Sequence, residues 1–416
     1  MKVQKLTLRN FRNIEEATLV PDRDLNFLLG ANGQGKTSFL EALSFLATLK
    51  SFRGAKTDEV IRWGHPAGEV HCTLVKEDWT TELKISFMGD ENRSTKLAFI
   101  NGKPFRSSTQ YLTQRFGAVE LGFHTIVFNP SDHDLVRGEP SIRRSYLDRV
   151  VSAEDIEYLS TLQKYQRVLQ QRNSLLKMED SPNRQVLRGF TEQLASYGSL
   201  LTFKRLEWLE RLSEILPSTI QDIAPQQSML CVKYISNWAA EMTDFSSKNK
   251  DFGPVHFAGQ EARASLETLE RLFWKKASAL EEAELRSRSS LVGPHRDDWT
   301  FQMGEHVLKG HGSQGEVRSA LLALKLSEIE LFKVRTGHQP LLLLDDFSSE
   351  LDESRRANLL SYLIKTGLQI FVTATEDQSF LGKQFRVSQG RLQEVSERGV
   401  HDPTEQRSES GRLFGQ

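Results

Sequence analysis

Residues 30–37, which read Gly-Ala-Asn-Gly-Gln-Gly-Lys-Thr, constrain the fold of this chain more than any other segment. They match the pattern G-x-x-x-x-G-K followed by Ser or Thr, whose glycines let successive backbone N–H groups point at phosphate oxygens. A strand-like stretch (24–29) precedes the loop and an amphipathic, helix-like stretch (38–49) follows it, as a phosphate loop requires. The segment therefore predicts a nucleotide-binding α/β domain.

Each residue of this loop has an expected role. Lys36 would bridge the β- and γ-phosphates of ATP and assist catalysis, and the Thr37 hydroxyl would ligate Mg²⁺. The helix that follows adds its positive N-terminal end. The predicted nucleotide-binding residues are Gly30, Ala31, Asn32, Gly33, Gln34, Gly35, Lys36, Thr37 and Ser38.

A second part of the same site is predicted far along the chain. Four leucines at 341–344, typical of a buried strand, lead directly into Asp345 and Asp346. Asp345 would hold Mg²⁺ and Asp346 would polarise an attacking water, although a core strand that simply ends at the surface gives the same pattern. More than 300 residues lie between Thr37 and Leu341, so we expect a lobe inserted between two halves of one ATPase domain.

Hydrophobic periodicity gives the expected layout of the chain. Residues 1–110 form the first half of the head, 111–290 an inserted and mainly helical lobe, 291–400 the second half of the head, and 401–416 a polar tail. Strands are expected at 2–8, 24–29, 341–344 and 369–372, antiparallel strands over 69–100 with a hairpin turn at 101–102, and helices at 38–49, 319–331 and 354–364. Prolines at 182, 217, 225 and 254 should break the helices of the lobe, which argues against a long coiled coil.

The turn Ser313-Gln314-Gly315-Glu316 precedes a predicted helix and is a candidate second phosphate-binding device. The same residues would equally serve as an ordinary helix cap. Because one nucleotide cannot easily use two helix ends from the same face, we predict an ATP-dependent homodimer. Each turn would then act in trans on the γ-phosphate bound by the other subunit, and Ser349 and Asp352 would lie in a loop that crosses the dimer interface.

Taken in order, these motifs resemble the RecF family, an ABC-type ATPase family related to the heads of SMC and Rad50 proteins. The resemblance spans residues 1–391 approximately and includes Leu-Arg-Asn-Phe-Arg-Asn at 8–13 and Gly-Pro-His-Arg-Asp-Asp at 293–298. It implies an ABC-type P-loop head that binds ATP with Mg²⁺, dimerises and hydrolyses slowly. The implied ligand is gapped DNA with a single-strand/double-strand junction, where the protein would help RecR and RecO load RecA. The chain departs from the family at Glu316, where Gln is commoner.

Charge limits where DNA could bind. The chain carries 54 Lys and Arg against 55 Asp and Glu, a net charge of −1, so a polyanion must be held by a local patch rather than by bulk attraction. Two runs without acidic residues, within 92–115 and 158–177, are candidates, and the first is the better hypothesis, although both also fit a solvated face. The candidate DNA-binding residues in these two runs are Arg93, Lys96, Lys103, Arg106, Lys164 and Arg167.

Other classes of protein are less consistent with the sequence. Its two cysteines lack metal-ligand spacing, and no apolar run reaches membrane-spanning length, so we expect a cytoplasmic protein with no membrane partner. A soluble phosphotransferase that acts on a small molecule is the alternative, but the insert and the Ser-Gln-Gly turn argue against it. An ABC subunit docked on a membrane partner is disfavoured because residues 373–375 replace the switch histidine. His295 is expected to be structural rather than catalytic.

Overall fold

The computed structural model describes residues 1–89, 94–114, 123–178, 182–239, 260–346, 366–375 and 382–395, without the side chains of 260–264. The strands are β1 Lys2–Phe11, β2 Ile14–Leu19, β3 Leu25–Leu29, β4 Ala67–Lys76, β5 Trp79–Gly89, β6 Ser94–Ile100, β7 Lys103–Phe105, β8 Thr125–Phe128, β9 Leu230–Ile235, β10 Asp298–Met303, β11 His306–Val307, β12 Leu341–Leu344, β13 Ile370–Ala374, β14 Lys383–Ser388 and β15 Arg391–Glu394. The helices are α1 Lys36–Thr48, α2 Ser108–Thr113, α3 His133–Arg137, α4 Pro140–Glu154, α5 Ile156–Met178, α6 Arg184–Ile223, α7 Gln260–Ser287, α8 Leu308–His311 and α9 Gln314–Thr336. The predicted helix at 354–364 lies outside the described residues.

A six-stranded sheet in the order β15-β14-β3-β13-β12-β8 carries the phosphate loop. All its neighbours pair in parallel except the edge strand β15. The β3 and β12 strands are buried along their whole length, because a parallel sheet is covered on both faces. This explains the four leucines of β12, whereas β3 also buries Asn26, whose side chain is satisfied by hydrogen bonds to the backbone of Asp22. The expected strands before the loop and before the acidic pair are confirmed.

The β8 strand bears on the predicted domain boundaries. It lies inside the range 111–290 that we expected to be inserted, yet it pairs with β12 in the parallel sheet. The sheet order therefore favours an insert that begins after Phe128. The division of the chain into a split head and one inserted lobe stays a proposal.

A second six-stranded sheet, in the order β2-β1-β4-β5-β6-β7, is antiparallel throughout. Its buried face packs with α1 around residues such as Phe11, Phe45 and Phe87. The hairpin expected at Asn101-Gly102 joins β6 to β7, and both residues have positive φ (49° and 76°), as a tight hairpin turn of this type requires.

The remaining part is mainly helical, as predicted, with two differences. The first is the β9 strand, which lies within the range 111–290 that we expected to be helical. It pairs with β10, which lies beyond that range, in a small sheet. The second is Pro217, which lies inside the 40-residue helix α6 rather than ending it. Leu212, Leu216 and Ile220 around it are buried, so packing on both sides outweighs the backbone hydrogen bond that proline removes. Pro182 and Pro225 flank α6 as expected, and residue 254 lies outside the described residues.

Long helices in this part pack on one another instead of forming an arm. The α5, α7 and α9 helices all contact α6, and apolar side chains from each belong to the larger of two hydrophobic cores. In the part of the chain that the structure describes, no helix is both long and apolar enough to cross a membrane.

A buried arginine joins four elements of the helical part. Arg205 on α6 donates from Nη2 to Asp148 Oδ1 at 2.7 Å and from Nη1 to the Pro294 carbonyl at 2.8 Å. Its Nε donates to the Tyr158 hydroxyl at 2.9 Å, and that hydroxyl also bonds Asp148. Arg205 is 2 % exposed, so the network holds α4, α5 and α6 against the segment that leads into β10.

We expect an Arg205→Met variant to lose about 3 kcal/mol of stability, because Asp148, whose side chain is only 19 % exposed, would lose its counter-charge. Urea unfolding followed by circular dichroism measures the loss. Arg188→Met on the same helix is the matched control, since Arg188 is 76 % exposed and pairs only loosely with Glu192 at 3.8 Å. The control should change stability by less than about 0.5 kcal/mol; equal losses in the two variants would contradict the role assigned to Arg205.

Candidate functional site

The backbone of the phosphate loop requires its glycines. Gly30, Gly33 and Gly35 have φ of 150°, 77° and 107°. A Cβ on Gly30 would lie 2.3 Å from the Val387 carbonyl oxygen, and one on Gly35 would lie 2.7 Å from the side-chain oxygen of Asn13. The loop therefore fits against Val387 and Asn13 only because Gly30 and Gly35 carry no side chain.

Residues in the turn between β14 and β15 and at the end of β13 hold the phosphate loop in place. The Gly390 N–H donates to the Gln34 carbonyl at 2.9 Å, and the Gln389 N–H donates to Gln34 Oε1 at 2.7 Å. Gly30 N–H donates to the carbonyl of Ala374 at 3.3 Å. The turn between β14 and β15 thus fixes Gln34, a contact that sequence spacing gives no sign of.

Lys36 lies at the start of α1 with its ammonium inside the loop. Nζ donates to the carbonyls of Gly30 at 2.5 Å and Ala31 at 2.9 Å. Burial lowers the pKa of Lys36, while the nearby carboxylates of Asp346 and Asp345 act in the opposite direction. A compact cation thus faces the concave side of the loop, where phosphate oxygens would lie.

The structure brings Thr37 and Asp345 together across 308 positions of sequence. The Thr37 hydroxyl donates to Asp345 Oδ1 at 2.8 Å, and the hydroxyl of Thr373 on β13 donates to the same oxygen at 2.8 Å. The Asp346 N–H donates in turn to Thr373 Oγ1 at 2.8 Å. Burial raises the pKa of Asp345, and the hydrogen bonds from Thr37 and Thr373 counter part of that effect.

The pair formed by Thr37 and Asp345 fits the Mg²⁺ ion that the sequence predicts beside the phosphate loop. A hydroxyl and a carboxylate are both hard oxygen donors, which Mg²⁺ prefers, and two protein ligands leave coordination positions for phosphate oxygens and water. The roles assigned to the loop residues, to Asp345 and to Asp346 stay predictions. Sequence reasoning does not find the contacts of Thr373 with both acids; it predicts only that residues 373–375 replace a switch histidine, at a position suited to sensing the γ-phosphate.

A cavity of about 1200 Å³ opens beside the loop and the acidic pair. Sequence reasoning missed several residues that line it from the antiparallel side, namely Arg12, Asn13, Arg53, Arg62 and Trp63. Arg12 is held by Glu41, to which Nε donates at 2.8 Å and Nη2 at 2.5 Å. Arg12 and Asn13 belong to the segment 8–13, which carries part of the family resemblance.

The Ser-Gln-Gly turn caps α9. Ser313 Oγ accepts from the Glu316 N–H at 3.3 Å, and a Glu316 carboxylate oxygen accepts from the Ser313 N–H at 2.8 Å, which is a reciprocal capping box. The hydrogen bonds from Ser313 lower the pKa of Glu316, and His306 lies 3.5 Å away. The structure thus shows this turn as a helix cap outside the cavity lining, and its role in trans stays a prediction.

Four candidate DNA contacts are exposed: Lys103, Arg106, Lys164 and Arg167. Lys96 is not a free surface cation, because its Nζ donates to the Leu49 carbonyl at 2.6 Å beyond α1 and lies over the Phe45 ring. Burial accordingly lowers the pKa of Lys96, and we withdraw it as a DNA contact. Arg93, Ser349 and Asp352 fall outside the described residues.

His295 has the structural surroundings expected of it. Its Nδ1 bonds the Tyr165 hydroxyl at 2.6 Å, and its Nε2 bonds the Ser290 carbonyl at 3.1 Å. Burial lowers its pKa to about 4. Both ring nitrogens are therefore engaged in packing the Gly-Pro-His-Arg turn against α5.

We expect Asp345→Asn to raise the thermal unfolding midpoint of the nucleotide-free protein by about 2 °C at neutral pH. The ionised carboxylate is disfavoured in the fold, whereas the amide oxygen still accepts from Thr37 and Thr373. The gain should shrink as the pH falls through the raised pKa of Asp345, since the wild-type carboxyl then becomes neutral as well. Asp346→Asn is the control, because its less buried side chain should give a smaller change; a gain for Asp345→Asn that is independent of pH would contradict the explanation.

Comparison with known proteins agrees with this geometry. Residues 2–391 match the family described as "RecF/RecN/SMC N terminal domain". The chain is 34 % identical over 398 residues to the "DNA replication and repair protein RecF" of Geotalea uraniireducens, across 94 % of this chain and 100 % of that protein.

Solved structures give the same result. The chain superposes on a structure described as "Structure of the recombination mediator protein RecF-ATP in RecFOR pathway" with a TM-score of 0.79. The two chains are 29 % identical, and the match covers 95 % of this chain and 98 % of that one. An Smc head bound to the C-winged helix domain of ScpA, 14 % identical with a TM-score of 0.52 over 95 % and 98 % of the two chains, shares the fold. The predicted ABC-type ATPase head is thereby confirmed, and the chain belongs to the RecF family.

Proposed function

We propose that this protein is an ATP-dependent DNA-binding protein of recombinational gap repair, which closes as a homodimer on ATP and hydrolyses it slowly. The observation that carries the proposal is the 2.8 Å contact between Thr37 and Asp345 beside the phosphate loop, with Asp346 next in the chain. A relative named as a DNA replication and repair protein and a solved recombination mediator protein described as "RecF-ATP" support it.

Within this proposal each group at the site has a task. The loop amides and Lys36 bind the phosphates, and Thr37 and Asp345 would hold Mg²⁺, which neutralises charge on the phosphate oxygens. Asp346 orients and polarises the attacking water. Ser313, Gln314, Gly315 and Glu316 act from the partner subunit, with Ser349 and Asp352 in the dimer loop.

The wider setting follows from the family. We infer that the protein acts in the cytoplasm, at gapped DNA with single-strand/double-strand junctions. There it would work with RecR and RecO to load RecA. The solved relative that is placed in the RecFOR pathway supports this assignment.

The exposed face of α5 is suited to a DNA backbone. From Tyr158 to Met178 the helix has no acidic residue, and apart from Met178 at its end the exposed positions carry lysine, arginine, glutamine and serine. Thr109 of α2 donates to Gln163 of α5 at 2.6 Å, which joins this face to the hairpin that carries Lys103 and Arg106. The two basic runs are therefore neighbours, as a backbone-contacting surface requires.

We expect Asp346→Asn to bind ATP normally but to hydrolyse it about 10²–10⁴-fold more slowly, because the amide cannot accept a proton. The variant should accumulate as an ATP-bound dimer, seen by light scattering after size exclusion. Lys36→Ala is the comparison, since it should lose binding as well as hydrolysis. Wild-type rates in Asp346→Asn would contradict the role assigned to it.

For DNA, we expect Lys164→Gln combined with Arg167→Gln to weaken binding to gapped DNA. The slope of log affinity against log salt should fall by about 2, one phosphate contact for each charge removed. Arg184→Gln with Arg188→Gln is the matched control, because both arginines are exposed on α6 beside glutamates. Equal slopes in wild type and the first double variant would exclude α5 as a contact.

A soluble phosphotransferase remains the second candidate, because it would use the same loop. It predicts turnover as a monomer and no stimulation by DNA. ATPase activity measured with and without gapped DNA separates the two, since only the repair protein should be stimulated.

A further inference from the structure

The side chain of Trp63 stands almost entirely in solvent. It is 98 % exposed, the largest value among the exposed apolar residues of the described chain. Trp208 and Trp299, in contrast, are completely buried. An exposed apolar side chain is common by itself, but an indole that is fully exposed on a well-anchored segment is available to contact a ligand.

The turn that presents Trp63 is held firmly on both sides. Arg62 N–H donates to the Asn10 carbonyl at 2.9 Å, and His65 N–H closes the turn on the Arg62 carbonyl at 3.1 Å. Gly64 allows the turn with a φ of 80°. Val60 and Ile61 just before it are buried, so the indole is presented from a defined backbone position at the end of β1.

The position of this turn suggests what the indole meets. Trp63 lines the cavity of about 1200 Å³ that also contains Lys36, Thr37 and Asp345. The loop, Lys36 and the acids make one part of that cavity polar and suited to phosphates. Trp63 contributes a flat π surface to the same cavity, where an aromatic base can stack.

We propose that Trp63 stacks on the base of the nucleotide whose phosphates the loop binds, so that it is a base-recognising residue of this site. The inference rests on the proposed function, since it requires a nucleotide in this cavity. Arg53 and Arg62, which line the cavity beside it, supply cations next to the stacked ring. Trp79 offers a matched comparison, because it is 76 % exposed at the start of β5 and does not line the cavity.

The test compares ATP with inorganic tripolyphosphate, both with Mg²⁺, by calorimetric titration. Trp63→Ala should bind ATP about tenfold more weakly, whereas its affinity for tripolyphosphate should be unchanged, because only ATP carries a base. Trp63→Phe should recover most of the affinity for ATP, and Trp79→Ala should bind both ligands as the wild type does. Quenching of intrinsic fluorescence by ATP should be lost in Trp63→Phe and kept in Trp79→Phe.

Two results would overturn the inference: unchanged ATP affinity in Trp63→Ala, or an equal loss for ATP and tripolyphosphate. Failure of the proposed function looks different, because ATP hydrolysis by wild type would then not be stimulated by gapped DNA, whatever ATP affinity Trp63→Ala shows. A thermal unfolding midpoint within about 1 °C of wild type shows that Trp63→Ala is folded, as expected for so exposed a side chain.

Discussion

The parallel pairing of β13 with β3 on one side and β12 on the other is the constraint on which the nucleotide site depends. It places strands from opposite ends of the chain side by side, so that the loop after Leu29 and the acids after Leu344 emerge at the same edge of the sheet. Thr373, at the end of the middle strand, then reaches Asp345 and Asp346 together. A shift of register in either pairing would separate Thr37 from Asp345 and remove the site.

Ion pairs connect α4 of the helical part to β10 and to α9. Arg143 forms two hydrogen bonds to Asp298, at 2.7 and 2.8 Å, and Arg149 donates to the buried carboxylate of Glu328 at 2.9 Å. Removing both charges of such a pair from water costs free energy that offsets most of their attraction, so the pair adds little net stability. Each arginine, however, can pair only with a carboxylate placed at the right distance and angle, which favours one arrangement of the helices. We therefore interpret the ion pairs of Arg143, Arg149 and Arg205 as contacts that fix how α4, α6, α9 and β10 pack against one another.

Local patterns predicted the elements whose environment is uniform along the chain. The strand at 341–344 is buried on both faces, so its apolar run identified it, and the strand at 25–29 was identified because it leads directly into the glycines of the phosphate loop. The hairpin glycine at residue 102 marked its turn. Pro217, β9 and the contact of Lys96 with Leu49 could not be predicted in this way, because packing partners far along the chain decide each of them. The same holds for Arg12, Thr373 and Trp63, whose importance depends on a cavity that exists only after folding.

The capping box at Ser313 has a consequence for how two subunits could engage and separate. In the box, Ser313 Oγ serves as an acceptor for the Glu316 N–H. A hydroxyl has one hydrogen to donate as well as two lone pairs, so the same oxygen can donate to an approaching phosphate while it still caps its own helix. In the proposed dimer, engagement would then require no fraying of α9, and the first turn of that helix would stay intact as the subunits close and open.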